Sequence, residues 1–155
     1  MPRIRFADVD QDVLTQTMVF EYMIGNTDFS MYALHNIRFV KTRDNTVYTV
    51  PYDWDLSGLV DTAYALPDKA LGIKSVHDRL YRGPCREPEK LEPVLQQFRA
   101  HRAEILALYE TTPGLASAYR RSAKDYLESF FRGLERSGDV KHTFIAGECS
   151  KKSAM

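Results

Sequence analysis

Residues 25–58 read GNTDFSMYALHN (25–36), IRFVKT (37–42), RDNT (43–46), VYTV (47–50) and PYDWDLSG (51–58). Two runs of β-branched and aromatic residues flank Asp44-Asn45, which predicts an antiparallel hairpin with strands at 37–42 and 46–52. Pro51 has no amide to donate, so the second strand either ends there or lies at an edge. Residues 25–36 show neither helical nor strand periodicity. They hold Met31, Tyr32 and Leu34, too apolar for a solvated loop, and read as an ordered loop packed on a core. DWDLSGLVD after Pro51 reads as a second ordered turn.

A hairpin brings its two ends together. Asp28, Asn36, Asp53 and Asp55 span 28 positions but can therefore converge on one metal or phosphate. Alternation in the second strand puts Tyr52 and Trp54 on one side and Asp53 and Asp55 on the other. Two carboxylates on one face repel unless a cation lies between them, and hard divalent cations take oxygen ligands. Asp28 suits a base that orients a hydroxyl. Each residue alone has an ordinary structural reading. Asp28 can cap a turn, Asn36 can bond to backbone, and Asp53 and Asp55 can be solvated edge residues. Charges grouped amid Trp54 and several tyrosines nevertheless need a reason. His35 either orients a neighbour or bonds to backbone. Arg79, Arg82 and Arg86 with Lys74 form a basic cluster that either receives an anion or is a solvated face. His77, His101 and His142 have no partner at ligand spacing, and GxSxG, P-loop and HExxH motifs are absent.

The rest of the chain is helical in pattern. Asp8 or Asp10 can cap a helix over 10–24, which Gly25-Asn26 stops. Residues 62–74 have no period. Ser75 to Asp78 has capping-box spacing and predicts a short helix over 76–81. RGPCREP (82–88) is a loop. Two long amphipathic helices follow, over 89–110 and 114–136, separated by Thr112-Pro113-Gly114. The first begins at Pro88 or Pro93. VKHTFIA (140–146) reads as a short extended return, and 146–155 as a disordered tail, so that residues 1–145 make one domain. The fold class is α+β, mainly α, with one early hairpin.

With 21 basic and 21 acidic residues the net charge is zero, which argues against binding nucleic acid or an anionic membrane through bulk charge. No apolar run reaches the ~20 residues of a membrane span. The N-terminus MPRIRFADVD turns acidic where a signal peptide is apolar, so the default compartment is the cytoplasm. Cys85 and Cys149, 64 positions apart with no motif around them, read as two unrelated thiols rather than a disulfide.

The order loop Asp, Asn, hairpin, Asp resembles the catalytic half of protein-kinase-like folds. GNTDFSMYALHN followed by VPYDWDLSG is most similar to the atypical branch with the spore-coat CotH kinases and, more distantly, the HipA-type kinases. It is closer still to uncharacterised bacterial proteins that carry the same phrases with YRGPC downstream. The resemblance implies the C-terminal lobe of a kinase, lacking the small lobe that covers ATP, with nucleotide and an unidentified acceptor as partners. It implies Mg²⁺, with ATP, as cofactor. Asp28 matches the catalytic Asp, Asn36 the metal-binding Asn, and Asp53 or Asp55 the metal-binding Asp; the aromatic after Asp53 favours Asp53, with Asp55 then a second ligand or a support. The implied chemistry is Mg²⁺-dependent phosphoryl transfer, which an isolated lobe need not sustain. Rival readings are a metal-dependent phosphoester hydrolase and a non-enzymatic interaction domain.

Overall fold

The computed structural model describes residues 4–149. Among these, five α-helices accompany one two-stranded antiparallel sheet, an α+β fold that is mainly α. Helix α1 (Gln11–Ile24) starts because the Asp10 carboxylate accepts the amides of Asp12 and Val13. Of the two acidic candidates for its cap, the second serves. The helix ends at Gly25 in the left-handed conformation (φ 66°), and a β-carbon there would sit 1.9 Å from the Tyr126 hydroxyl oxygen. Leu14, Met18, Val19, Met23 and Ile24 of this helix are buried, and it packs on both the sheet and the long C-terminal helices.

The hairpin consists of β1 (Ile37–Lys41) and β2 (Val47–Pro51), in register Ile37 opposite Pro51 and Val40 opposite Tyr48. At its turn Asp44 accepts the hydroxyls of Thr42 and Thr46, while Asn45 takes φ 69°, which suits an Asn. β2 ends at Pro51, and Asp53 turns left-handed at φ 60°. The strand alternation expected to carry Asp53 and Asp55 onto one face stops there.

After a long irregular stretch come α2 (Pro88–Ala100), α3 (Arg102–Thr111), α4 (Ser117–Leu134) and the short α5 (Ser137–Val140). Leu91, Val94, Leu95 and Phe98 of α2 meet Leu127, Phe130, Phe131 and Leu134 of α4 in one core with α1. The helix expected over 89–110 begins at Pro88, continues through Pro93 and breaks at His101. The His101 imidazole bonds the Gln97 carbonyl at 2.8 Å, and His101 leaves helical geometry (ψ 7°), dividing the element in two.

Four further expectations are corrected. Residues 76–81 form no helix. The Ser75 hydroxyl does accept the His77 amide, but the Asp78 carboxylate folds back onto the amides of Lys74 and Ser75, closing a single turn. Leu80, Tyr81 and Gly83 are then all buried, a run that suits extended chain between layers rather than a one-sided helix. Residues 140–146 are not extended. α5 runs into a wide helical turn (Lys141–Ile145) that buries Phe144 against Tyr22 and Tyr81. Cys85 and Cys149 are a disulfide. The Arg86 amide donates to the Phe144 carbonyl at 2.8 Å, and this tertiary contact brings the two cysteines together. Of the tail expected over 146–155, residues 146–149 are thus tied to the body, and 150–155 lie outside the described residues. Among the described residues no helix is long and apolar enough to cross a membrane.

Candidate functional site

Gly25 and Gly58, which bound the stretch that carries the hairpin, meet. The Gly58 amide donates to the Gly25 carbonyl at 3.1 Å, and the Leu59 amide to Ile24 at 3.0 Å. A β-carbon at Gly58 would lie 2.5 Å from the Val76 carbonyl oxygen and 2.7 Å from the Tyr126 hydroxyl oxygen. The 34-residue stretch is therefore a closed loop, and only glycines permit the closure.

Within it, Ser30 and His35 exchange two backbone hydrogen bonds (2.9 and 3.0 Å), pinching residues 31–34 into a tight turn. That turn places His35 and Asn36 over Asp28. The His35 Nε2 lies 3.0 Å from Asp28 Oδ1. The Asn36 amide nitrogen donates to Asp28 Oδ2 at 2.9 Å and to the Asp28 carbonyl at 2.8 Å. Both oxygens of a half-buried carboxylate are thus held by side chains of one neighbouring segment. Across the hairpin neck, the Tyr52 amide donates to the Asn36 carbonyl at 3.1 Å, which sets Asp53 one residue beyond Asn36's backbone partner.

Backbone strain concentrates here. Leu34 (φ 55°), Asn36 (φ 52°), Asn45 (φ 69°) and Asp53 (φ 60°) of the loop, and Asp61 (φ 51°) just beyond it, adopt left-handed backbone. Asn and Asp tolerate it, while a Leu there costs about 1–2 kcal/mol. Such residues cluster at ligand sites because the surrounding structure over-determines them.

The other two expected ligands stand differently. Asp53 is exposed. Asp55 accepts the Tyr64 hydroxyl at 2.8 Å, and that bond raises the Tyr64 pKa, with the charge of Asp53 adding a smaller push. The structure joins Asp28 to Asn36 directly and turns Asp55 toward Tyr64. Among the described residues no group of three or more His, Cys, Asp or Glu gathers to hold a metal by itself.

Two supports have no motif in the sequence. Glu21, 1% exposed on α1, accepts the Asn26 amide nitrogen at 2.8 Å through Oε2 and the Trp54 indole nitrogen at 3.3 Å through Oε1. Burial pushes its pKa up to about 7, against the opposing pull of these two bonds. Asn26 in turn accepts the Asp28 amide at 3.1 Å. The one signal that could have found Glu21 is a lone carboxylate in the nearly all-apolar end of a helix. The second support is Arg82, whose Nη1 donates to the carbonyls of Thr27 (2.6 Å) and Phe29 (2.5 Å), on either side of Asp28. Arg79 likewise bonds the carbonyls of Met23 and Tyr126 and the Ser129 hydroxyl, and Arg86 bonds Gln11. Arg79 and Arg82 are therefore scaffolding, while buried Arg86 makes its bond to Gln11 through Nη1 and leaves Nε and Nη2 without a hydrogen-bond partner among the described residues. His77, without a partner at ligand spacing in sequence, pairs with Asp61 at 3.3 Å.

A cleft of about 760 Å³ opens between α1, β2, α2 and α3, lined by Phe20, Trp54, Phe98, Ile105 and Tyr109 among others. Asp28, Asn36, Asp53 and Asp55 do not line it; Trp54, Ser57, Leu59 and Val60 of the turn after Pro51 do. No family model, curated protein or solved structure matches this chain.

Proposed function

We propose that the 25–58 loop is the acceptor-orienting and metal-holding part of a Mg²⁺-dependent phosphotransferase site of the atypical kinase kind. The observation that carries this reading is the grip on Asp28, with His35 on one carboxylate oxygen and Asn36 on the other. A general base needs a fixed carboxylate within hydrogen-bond reach of the proton it takes. Asp28, half-buried and clamped, would orient an acceptor hydroxyl in that way. Asn36 would present its amide oxygen, since its nitrogen is committed to Asp28. Asp53 would add an exposed carboxylate from across the hairpin neck, and Asp55, held by Tyr64, would support it.

This donor set is sparse, one amide oxygen and one or two carboxylates. It fits Mg²⁺ in particular, which is usually held by one or two carboxylates together with substrate phosphates rather than by an all-protein cage. The bound ion with its nucleotide would supply neutralisation of charge on the transferring phosphoryl group. The contact between Asp28 and His35 favours one second reading, metal-dependent phosphoester hydrolysis, in which the same pair activates a water.

Calorimetry with Mg²⁺ and a non-hydrolysable ATP analogue separates the readings. Phosphotransfer predicts Mg²⁺ affinity at least about tenfold higher with nucleotide than without it, and loss of that gain in Asn36→Ala and Asp53→Ala. Asp28→Asn should keep the binding and lower transfer to an acceptor by about 10²-fold or more. Metal-dependent turnover of a simple phosphoester without nucleotide would favour the hydrolase. Unchanged metal and nucleotide behaviour in all three variants would leave an interaction domain.

A further inference from the structure

The two halves of the proposed site lie on separate segments, the loop that carries Asp28 and the turn that carries Asp53. Their backbones touch at the hairpin neck and at the two glycines. Glu21 is the buried side chain that bonds to both. On the loop side it takes the amide nitrogen of Asn26, whose own oxygen receives the Asp28 amide. On the turn side it takes the indole of Trp54, the residue between Asp53 and Asp55. We propose that Glu21 is a positioning residue that sets the Asp28 loop and the Asp53 turn in register by accepting one donor from each.

The chemistry requires the ionised form. Asn26 and Trp54 both donate, one to each carboxylate oxygen, and a carboxylate accepts at both. A protonated carboxyl keeps one good acceptor and gains a donor that faces another donor. Glutamine, the isostere, has the same defect at every pH. Protonation therefore replaces one of the two bonds by a donor–donor clash and shifts the carboxyl between its partners, so both segments should respond together. The groups facing the carboxylate are neutral. Charges on the packed elements act one step removed: Asp28 beyond Asn26, Asp53 and Asp55 flanking Trp54, and Arg79, bonded to the Met23 carbonyl on α1. The role rests on the phosphotransferase reading only in saying what the register is for.

Trp54 is the single tryptophan, so intrinsic emission reports the turn side. The Asp28 backbone amide resonance reports the loop side. Both are followed from pH 5 to 9 in a His35→Gln background, which removes the imidazole beside Asp28. The expected result is one shared titration with a midpoint at about 7, lost from both reporters in Glu21→Gln. A flat reporter on either side, or a titration that survives Glu21→Gln, overturns the proposal. Binding of Mg²⁺ with the ATP analogue is then compared in the two proteins with His35 intact, and should weaken about tenfold or more in Glu21→Gln. Unchanged affinity would mean that Glu21 is structural only. A shared titration in a protein that binds no Mg²⁺–nucleotide leaves the register standing and refutes the phosphotransferase reading. Tight Mg²⁺–nucleotide binding with flat reporters does the reverse.

Discussion

Two regions of this molecule reach order by opposite means. The α2–α4 layer is regular. Its stripe of Leu91, Val94, Leu95, Phe98, Leu127, Phe130 and Phe131 repeats at helical spacing and buries against α1. Many small equivalent contacts hold it, and no single one has a special geometry. The 25–58 loop has almost no repeating pattern outside its hairpin. It is held by single, irreplaceable contacts: two glycines back to back, four left-handed residues without glycine's freedom, an arginine across the carbonyls beside Asp28, and one buried carboxylate. Regular packing tolerates change in small steps. A closed loop of this kind fails at particular atoms.

The contrast breaks if the two regions respond alike to mutation and pH. Phe131→Ala should have the largest effect, about 4 kcal/mol lost in chemical denaturation, and about the same at pH 5 and pH 8. Phe131 is 2% exposed and stacks edge-on against Phe130 at 5.2 Å, so its removal leaves a cavity in an apolar wall. Gly25→Ala should follow, at about 3 kcal/mol, because one methyl group adds left-handed strain and a 1.9 Å clash with Tyr126. A β-carbon added at Gly133 on α4 would meet no atom within 4 Å, so Gly133→Ala should be neutral or slightly stabilising. A clash penalty at Gly133 equal to that at Gly25 would erase the distinction between the regions.

The pH dependence is the most discriminating. Glu21 has a pKa of about 7 when folded and an ordinary value of 4.5. Between these values the folded chain holds a proton that the unfolded chain has released. The stabilising contribution is therefore complete below about pH 4.5 and is lost as pH rises through about 7, by up to about 3 kcal/mol. Glu21→Gln should flatten this slope and leave the variant the more stable of the two proteins at pH 8. The ionised form that best ties the loop to the turn is thus the one the core tolerates least. Stability curves that keep the same pH slope in Glu21→Gln would show that another group titrates in its place.

Much of this was legible in the chain. Asp10 before an apolar run, Gly25 after it, and Asp44-Asn45 between two β-branched runs each carry their meaning in local chemistry, and each stands where it was expected. The nearness of Asn36 to the Asp53 turn was legible because a hairpin brings its two ends together, whereas the bond from Asn36 to Asp28 depends on the Ser30–His35 turn, which has no motif. Local chemistry misled where a distant partner intervened. Ser75 and Asp78 formed capping bonds without a helix, since Leu80 and Tyr81 are drawn into the core. Cys85 and Cys149 joined because Arg86 meets Phe144, a contact with no local mark.

Sequence alone determined the periodic and punctuated parts: the first helix, the long apolar stripes of α2 and α4, the hairpin, the Gly25 stop and the mainly α class. These depend on residues within a few positions of one another, where propensity and pattern act directly. Tertiary structure decided which polar groups share an environment. It put Gly58 on Gly25, His35 and Asn36 on Asp28, Asp55 on Tyr64, and Glu21 between Asn26 and Trp54. The physical reason is burial. A carboxylate's proton affinity and its choice of donors are set by what excludes water around it, and here that wall comes from segments tens of residues apart.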